Sequence, residues 1–290
     1  MQFTKMHGLG NDFVVVEDFG LKLKNCEQLA ARVCDRHFGV GADGLVLLQP
    51  SQKAPFRMRI FNSDGSEAEM CGNALRCVGK YLYERGLVRE TVFTVEMHQA
   101  VKTLKLELAG ESVASVEVDM GEPVLESDLV PVAGERRRVV DEKTTAAGET
   151  FAMTAVSMGN PHCVIFVPDA AAVPLAAWGP ALETHPAFPR KTNVEFVQVI
   201  SPLEALVRVW ERGAGPTLAC GSGACAALVA GVLGGRLKRR ATLHLPGGSL
   251  LVEWRDDNHI YMTGPSAEVF RGELVAGPDF GPNYCTGESD

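Results

Sequence analysis

The chain contains itself twice. Displaced by 149 residues, Gly10-Asn11 falls on Gly159-Asn160, Arg59 on Arg208, Asn62 on Glu211 and Cys71-Gly72 on Cys220-Gly221, with no insertion between these points. Solenoid repeats recur every ~20–50 residues, so a period this long marks a duplicated domain. The alternative is a chance likeness of two strand–loop–helix units. Local patterns keep the same register. Phe56 to Phe61 and Ala205 to Trp210 carry apolar and polar residues in the same phase, which predicts two strands with one buried face each. Each is followed by a Gly-rich loop, a Cys-Gly pair and a helix. The first helix is expected over Asn73–Glu84, closed by Arg85-Gly86, and the second over Gly223–Leu233, closed by Gly234-Gly235. Glycine just past a helix end is the common left-handed stop.

The rest of the chain is rich in strands. Val14–Val16, Gly44–Leu48, Phe93–Met97, Thr103–Leu108 and Val113–Val118 suit the first half; Ala152–Val156, Cys163–Val167, Glu195–Val199, Ala241–Leu245 and Leu250–Glu253 suit the second. Leu21–His37 reads as an amphipathic helix with Leu29, Val33 and Cys34 on one face. Many strands with one or two helices per half favour an α+β fold. Two pseudo-symmetric domains result, each a curved sheet wrapped on a central helix rather than a series of βαβ units. The junction is expected near Asp119-Met120-Gly121-Glu122-Pro123, giving halves at 1–120 and 121–265. The run Glu211 to Pro216 is a loop; a dinucleotide fingerprint requires G-x-G-x-x-G opening a helix.

Composition excludes several classes. A chain of 290 residues is long enough for two domains. The net charge is −8 and the longest basic runs, Arg136–Arg138 and Lys238–Arg240, are three residues each, so no broad phosphate-binding surface is expected and no nucleic-acid partner. No stretch reaches the roughly 18 apolar residues of a membrane helix. The N-terminus lacks an apolar signal core, so the expected setting is cytoplasmic, without membrane association. Eight cysteines do not form a disulfide scaffold at this length, and Cys71/Cys77 and Cys220/Cys225 lack zinc spacing. No metal is expected. Cys26, Cys34 and Cys77 read as buried free thiols, and Cys163 and Cys225 as core.

Cys71 and Cys220 differ from these because each stands at the mouth of its helix. Unpaired backbone N–H groups and the helix field favour an anion there, which predicts a thiol of lowered pKa. One such cysteine is either a nucleophile or a buried thiol. Two at duplicated positions suggest a pair facing each other across a domain cleft. A thiolate and a thiol suit inversion at a carbon: one takes a proton, the other delivers one to the opposite face. The N–H groups of Gly72-Asn73 and Gly221-Ser222 would hold the developing carboxylate-enolate. Asn11, beside Gly10, is a turn residue unless its registration with Asn160 counts; His162 fits a structural histidine equally well; Arg212 is a solvated loop arginine or a bidentate carboxylate fork beside Glu211.

The segments GLGNDF, FNSDGSEAEMCGNALRC, MGNPHC, KTNVEFV, ERGAGPTLACGSGACA and YMTGPSAEVFRG resemble the diaminopimelate epimerase family, from Phe3 to about Gly272. The resemblance implies two similar domains, each a barrel-like sheet around a helix, with a C-terminal strand at 266–278 returning to the first. It implies a cofactor-independent homodimer that interconverts LL- and meso-2,6-diaminopimelate for lysine and peptidoglycan synthesis. Cys71 and Cys220 match the acid/base pair, and His162 and Glu211 their polar partners. Gly72, Asn73, Gly221 and Ser222 match the cradle of the reacting carboxylate. Asn11, Asn62, Asn160, Asn193 and Arg212 match the clamp on the unreacting end of the substrate. Some members carry a substrate-contacting amide where this chain has Gly44, so no side-chain role is assigned there. The tail from Phe280, with Cys285, lies past the family core.

Rival readings differ in their chemistry. A two-cysteine racemase of the proline racemase type would have no use for the distal clamp. A phenazine-biosynthesis isomerase would use a carboxylate base instead of two thiols. A pyridoxal-phosphate racemase needs a Schiff-base lysine, and none has such a setting. A non-enzymatic amino-acid binder would not exchange the substrate α-proton with solvent. A redox protein would use a Cys71–Cys220 disulfide.

Overall fold

A computed structural model of the chain describes residues 1–68, 70–98 and 100–275. The last residues of the expected strand 266–278, the tail and Cys285 lie outside the described residues. The chain forms two compact units, one of Met1–Val118 with the segment from Pro265 onward, the other of Asp119–Gly264.

The first unit contains β1 (Gln2–Gly8), β2 (Asn11–Glu17), α1 (Cys26–Val33), β3 (Gly44–Gln49), β4 (Phe56–Asn62), α2 (Gly72–Glu84), β5 (Val92–Met97), β6 (Ala100–Ala109) and β7 (Ser112–Gly121), at whose end the boundary falls. The second contains β8 (Glu142–Ala146), β9 (Glu149–Ser157), β10 (Pro161–Phe166), α3 (Leu175–Glu183), β11 (Asn193–Ser201), β12 (Glu204–Glu211), β13 (Gly215–Thr217), α4 (Gly221–Leu233), β14 (Arg240–Leu245), β15 (Gly248–Trp254) and β16 (Ile260–Gly264). The final strand, β17 (Ala267–Glu273), belongs to the first unit and pairs antiparallel with β1.

The 149-residue displacement seen in the sequence runs through the whole topology. It carries α2, 13 residues long, onto α4, also 13 residues long, with identical ends. Within the first unit the sheet runs β17-β1-β2-β3-β4-β5-β6-β7, parallel only at β2/β3 and β4/β5. Within the second it runs β8-β9-β10-β11-β12-β14-β15-β16, parallel only at β10/β11 and β12/β14. Strand directions therefore repeat pair by pair. Gly10 and Gly159, matched by the displacement, turn the chain in the same left-handed conformation, at φ 86° and 95°.

Each sheet packs onto its second helix. Along α4 Gly221 and every residue from Gly223 to Gly231 are buried, and the helix packs against β9, β10, β11, β12, β14, β15 and β16. A helix surrounded in this way needs no polar face, and Ala224 to Gly231 offers none. Helix α2 packs against β1, β2, β6 and β17, and buries Leu75, Cys77, Val78 and Leu82 completely. The described cysteines outside the two helix mouths are buried free thiols. No helix among the described residues is long and apolar enough to cross a membrane.

Two expectations from the sequence need correction. The helix expected over Leu21–His37 is only Cys26–Val33. Leu21 and Asn25 adopt left-handed backbone, at φ 52° and 50°. The Asp18 carboxylate accepts from the N–H groups of Lys22 and Leu23, and Asp35 from those of His37 and Phe38, so side-chain-to-backbone bonds replace helical ones at both ends. Helix α3 was not foreseen, because Pro180 interrupts its pattern. It is held by contact: a Cβ on Gly179 would stand 2.4 Å from the Trp210 ring, so only glycine allows this approach.

Candidate active site

Each cysteine caps its helix. In the first unit Cys71 has extended backbone at φ −150° and its Sγ accepts a hydrogen bond from the Ala74 N–H at 3.5 Å. The sulfur also faces Asn11 Oδ1 at 3.9 Å, and Asn73 Nδ2 donates to the same oxygen at 3.0 Å. Asn11 is in turn fixed by donating to Asp43 Oδ2 at 2.8 Å. Cys71, Gly72, Asn73 and Asn11 thus form one cluster where the α2 N-terminus meets the start of β2. Asn62 ends β4; its side chain is exposed and donates to Ser66 Oγ at 3.0 Å. At Gly44 a Cβ would meet the Phe61 carbonyl oxygen at 2.8 Å, so the close approach of strands there is tied to glycine.

In the second unit Cys220 caps α4, with Sγ accepting from Gly223 N–H at 3.3 Å and lying 3.5 Å from Ser222 Oγ. Glu211, at the end of β12, accepts a hydrogen bond from Thr217 Oγ1 at 2.6 Å, and its charge acts on the Cys220 thiol. His162, on β10, is wholly buried. Its Nδ1 lies 2.7 Å from Glu195 Oε1 and its Nε2 is 2.9 Å from Asn160 Oδ1. Asn193 donates to the Pro161 carbonyl at 2.8 Å and accepts from the Arg212 N–H at 2.9 Å, so its amide ties β10 to the loop after β12. The Arg212 side chain is exposed and reaches the Arg190 carbonyl at 3.3 Å.

The electrostatics of Cys220 reverse the expectation of a lowered pKa. Burial pushes the thiol well above its ordinary range, and the carboxylates of Glu211 and Glu195 push it further; bonds from Ser222 and the Gly223 N–H offset this only in part. A helix N-terminus lowers a thiol pKa when the sulfur is solvated or faces cations. Here it is dry and faces two acids, so Cys220 holds its proton. Burial likewise raises Glu211, partly countered by the Thr217 hydroxyl, raised again by Glu195, and lowered by His162 and the Cys220 thiol. The Cys220 cluster is therefore suited to retaining and passing a proton.

Four contributors were not singled out in the sequence: Glu195, Thr217, Asp43 and Glu183. Glu183, at the end of α3, accepts from Trp210 Nε1 at 2.7 Å and from Gly213 N at 3.1 Å, which anchors the Arg212 loop. Glu195 did carry a signal, as the one carboxylate within an otherwise uncharged run, Asn193–Val197, that is buried throughout.

Such a fold is shared by solved enzymes of isomerase and racemase type. The chain superposes on a phenazine biosynthesis protein of the PhzF family from Bacillus anthracis with a TM-score of 0.70 at 14% identity, covering 95% of this chain and 99% of that one. It superposes on a probable proline racemase from Agrobacterium radiobacter with a TM-score of 0.72 at 16% identity, covering 97% and 95%. At these identities the likeness concerns the fold alone. The sequence is more specific. It matches the family model described as diaminopimelate epimerase over residues 3–126 and 154–269. It is 58% identical over 275 residues to the diaminopimelate epimerase of Pelotomaculum thermopropionicum, covering 94% of this chain and 98% of the relative. It is 54% identical over 278 residues to that of Desulfitobacterium hafniense, covering 95% and 98%. The chain belongs to the diaminopimelate epimerase family.

Proposed function

We propose that the protein epimerises LL-2,6-diaminopimelate to the meso isomer by two-base proton transfer at one α-carbon, in the cytoplasm, for lysine and peptidoglycan synthesis. The observation that carries this reading is the repeated capping geometry: two cysteines at equivalent helix mouths, each sulfur accepting one helix N–H. One sulfur takes the α-proton as a thiolate and the other, as a thiol, gives its proton to the opposite face; Cys220 is the thiol that starts protonated. The N–H groups of Gly72-Asn73 and Gly221-Ser222 stabilise the enolate oxygens as charge develops. Such chemistry needs only acids and bases of the protein. Asn11, Asn62, Asn160, Asn193 and Arg212 hold the unreacting amino-acid end, with Asn193 acting in part by fixing the Arg212 backbone. The halves serve as N- and C-terminal epimerase domains.

The test is incubation with LL-diaminopimelate in D₂O, following isomer ratio and α-deuteration. Formation of meso product with solvent deuterium at the inverted carbon is expected; unchanged, undeuterated substrate overturns the reading. A homodimer is part of the same proposal. Val269 and Phe270 of β17, and Val275 beyond it, are apolar and exposed. Light scattering should give twice the chain mass.

A further inference from the structure

Glu195 is a fully buried acid of the second unit, with no measurable exposure, that the reaction scheme leaves unused. One oxygen, Oε1, is paired with His162 Nδ1 at 2.7 Å. The other, Oε2, is buried with no hydrogen-bond partner among the described residues. Burying half a carboxylate unsatisfied is costly, and a core that needed only to be stable would carry an apolar residue here. Its position suggests what the charge does. A Cβ built on Gly223 would stand 2.7 Å from Glu195 Oε1 and 3.2 Å from Cys220 Sγ, so carboxylate and sulfur border the same small volume beside the first turn of α4. The missing side chain at 223 is what lets them do so.

We propose that Glu195 is a positioning residue of the epimerase site: its buried carboxylate fixes the His162 ring and places a second negative charge behind the Cys220 sulfur. The first part follows from the hydrogen bond, since a ring held at Nδ1 by a carboxylate and at Nε2 by Asn160 has one orientation. The second follows from the shared volume at Gly223. The charged groups that act on Cys220 are Glu211 from β12 and Glu195 from β11, and His162 on β10 is paired with Glu195 and acts on Glu211. Of these, Glu211 and Glu195 both favour the protonated thiol. Glu195 acts from beside the first turn of α4, where Gly223 leaves room for it. Two acids in place of one keep Cys220 charged with a proton over a wider pH range, as a donor requires.

The inference rests on the epimerase reading for its purpose, but the test separates the two. Glu195→Gln keeps the volume and one acceptor for His162 and removes the charge. The pH dependence of iodoacetamide alkylation at Cys220, read by peptide mass spectrometry in a Cys71→Ala background, needs no substrate. The midpoint is expected to move to lower pH in E195Q; a shift of one unit raises the alkylation rate about tenfold at a given pH below both midpoints. Glu195→Asp, which keeps a charge one methylene further back, is expected to fall between wild type and E195Q, and serves alone if E195Q does not fold. In full-length protein with Cys71 intact, the alkaline limb of kcat/KM should move down in the same order. Superimposable alkylation profiles for the wild-type background and the substituted proteins, or a shift to higher pH, overturn the inference. A shifted profile in a protein that does not epimerise diaminopimelate would retain the coupling between Glu195 and Cys220 and overturn the proposed function instead.

Discussion

The Cys220 sulfur accepts a hydrogen bond from the Gly223 backbone N–H at 3.3 Å, while its own proton is kept by burial and by the acids beside it. The Cys71 sulfur accepts in the same way from Ala74, but is only half-buried and faces an amide oxygen where Cys220 faces Glu211. The duplication supplied two similar cages, and the residues around them diverged.

Both sulfurs are therefore expected to be indispensable. Cys71→Ala and Cys220→Ala should each lower epimerisation by at least about a thousandfold, within the range of losses for a single acid or base, because the remaining thiol can complete only half of the exchange. The substitutions remove one atom at a cap, so circular dichroism and the thermal midpoint should stay close to wild type. Cys→Ser variants keep a proton donor but lack an effective base, so elimination from a β-halogenated analogue, which needs one base, should outlast epimerisation. Wild-type turnover in either Ala variant would contradict the two-base scheme.

Gly223→Ala tests the crowding at the α4 mouth. Alanine is ordinarily favoured over glycine within a helix by roughly 0.5–1 kcal/mol. Here the new methyl would meet Glu195 Oε1 at 2.7 Å and Cys220 Sγ at 3.2 Å. The expected outcome is an intact fold with kcat reduced by about two orders of magnitude, since a misplacement near 1 Å costs that much. Steady-state kinetics and a thermal melt on the same sample check it; unchanged kcat would mean that Glu195 and Cys220 can move aside freely.

Buried thiols set the alkaline limit of stability. Burial pushes Cys34 and Cys77 up to about 12, and raises Cys163 and Cys220 as well. A thiol whose folded pKa lies above its unfolded value of 9.0 contributes stability that is complete below pH 9 and is lost as pH rises from there towards the folded value. Each such thiol withdraws about 1.4 kcal/mol for each pH unit in that window. Urea midpoints should thus be flat from pH 7 to 8 and fall steeply from pH 9 to 11. Cys34→Ala should lower the midpoint at pH 8 and flatten the alkaline slope; an unchanged slope would show that Cys34 does not take part.

How much was legible in the sequence follows from which forces act locally. The duplication, the two helices and the cysteine caps were readable because they rest on register, on Cys-Gly pairs and on glycine stops, all local features. Helix α1 came out shorter than its periodicity because Asp18 and Asp35 bind backbone N–H groups that a helix would have used. Helix α3 was hidden because what stabilises it is the Trp210 ring against Gly179, a contact made across 31 positions of sequence. The protonated state of Cys220 is not legible in the sequence for a similar reason. The helix mouth is visible in a string of residues, but the burial of the sulfur and the approach of Glu195 arise only when β10, β11, β12 and α4 come together.

The distal clamp makes the sharpest claim about specificity. The Arg212 backbone is held by Asn193 Oδ1 at 2.9 Å, and the next residue, Gly213, by Glu183 Oε1 at 3.1 Å. Its guanidinium stands at an exposed edge of this anchored loop, reaching Arg190 O at 3.3 Å, and offers a planar fork of donors to a carboxylate. Under the proposed function, a substrate with a second amino-acid end would pair with that fork, which a simple amino acid could not do. A polar group that a bound substrate buries without giving it a partner costs about 1–3 kcal/mol, and more when charged. The loss should fall on turnover as well as on binding, because contacts remote from the reacting carbon help to place it between acid and base. Proline, alanine and lysine are therefore expected to be very poor substrates for the wild type, and Arg212→Met should lower kcat/KM for diaminopimelate by two orders of magnitude or about 2.7 kcal/mol. The Cys220 alkylation midpoint should stay where it is in R212M, since Arg212 is not among the groups that set it. Comparable rates for diaminopimelate and a monocarboxylate amino acid in the wild type would remove the clamp and leave a general amino-acid racemase in its place.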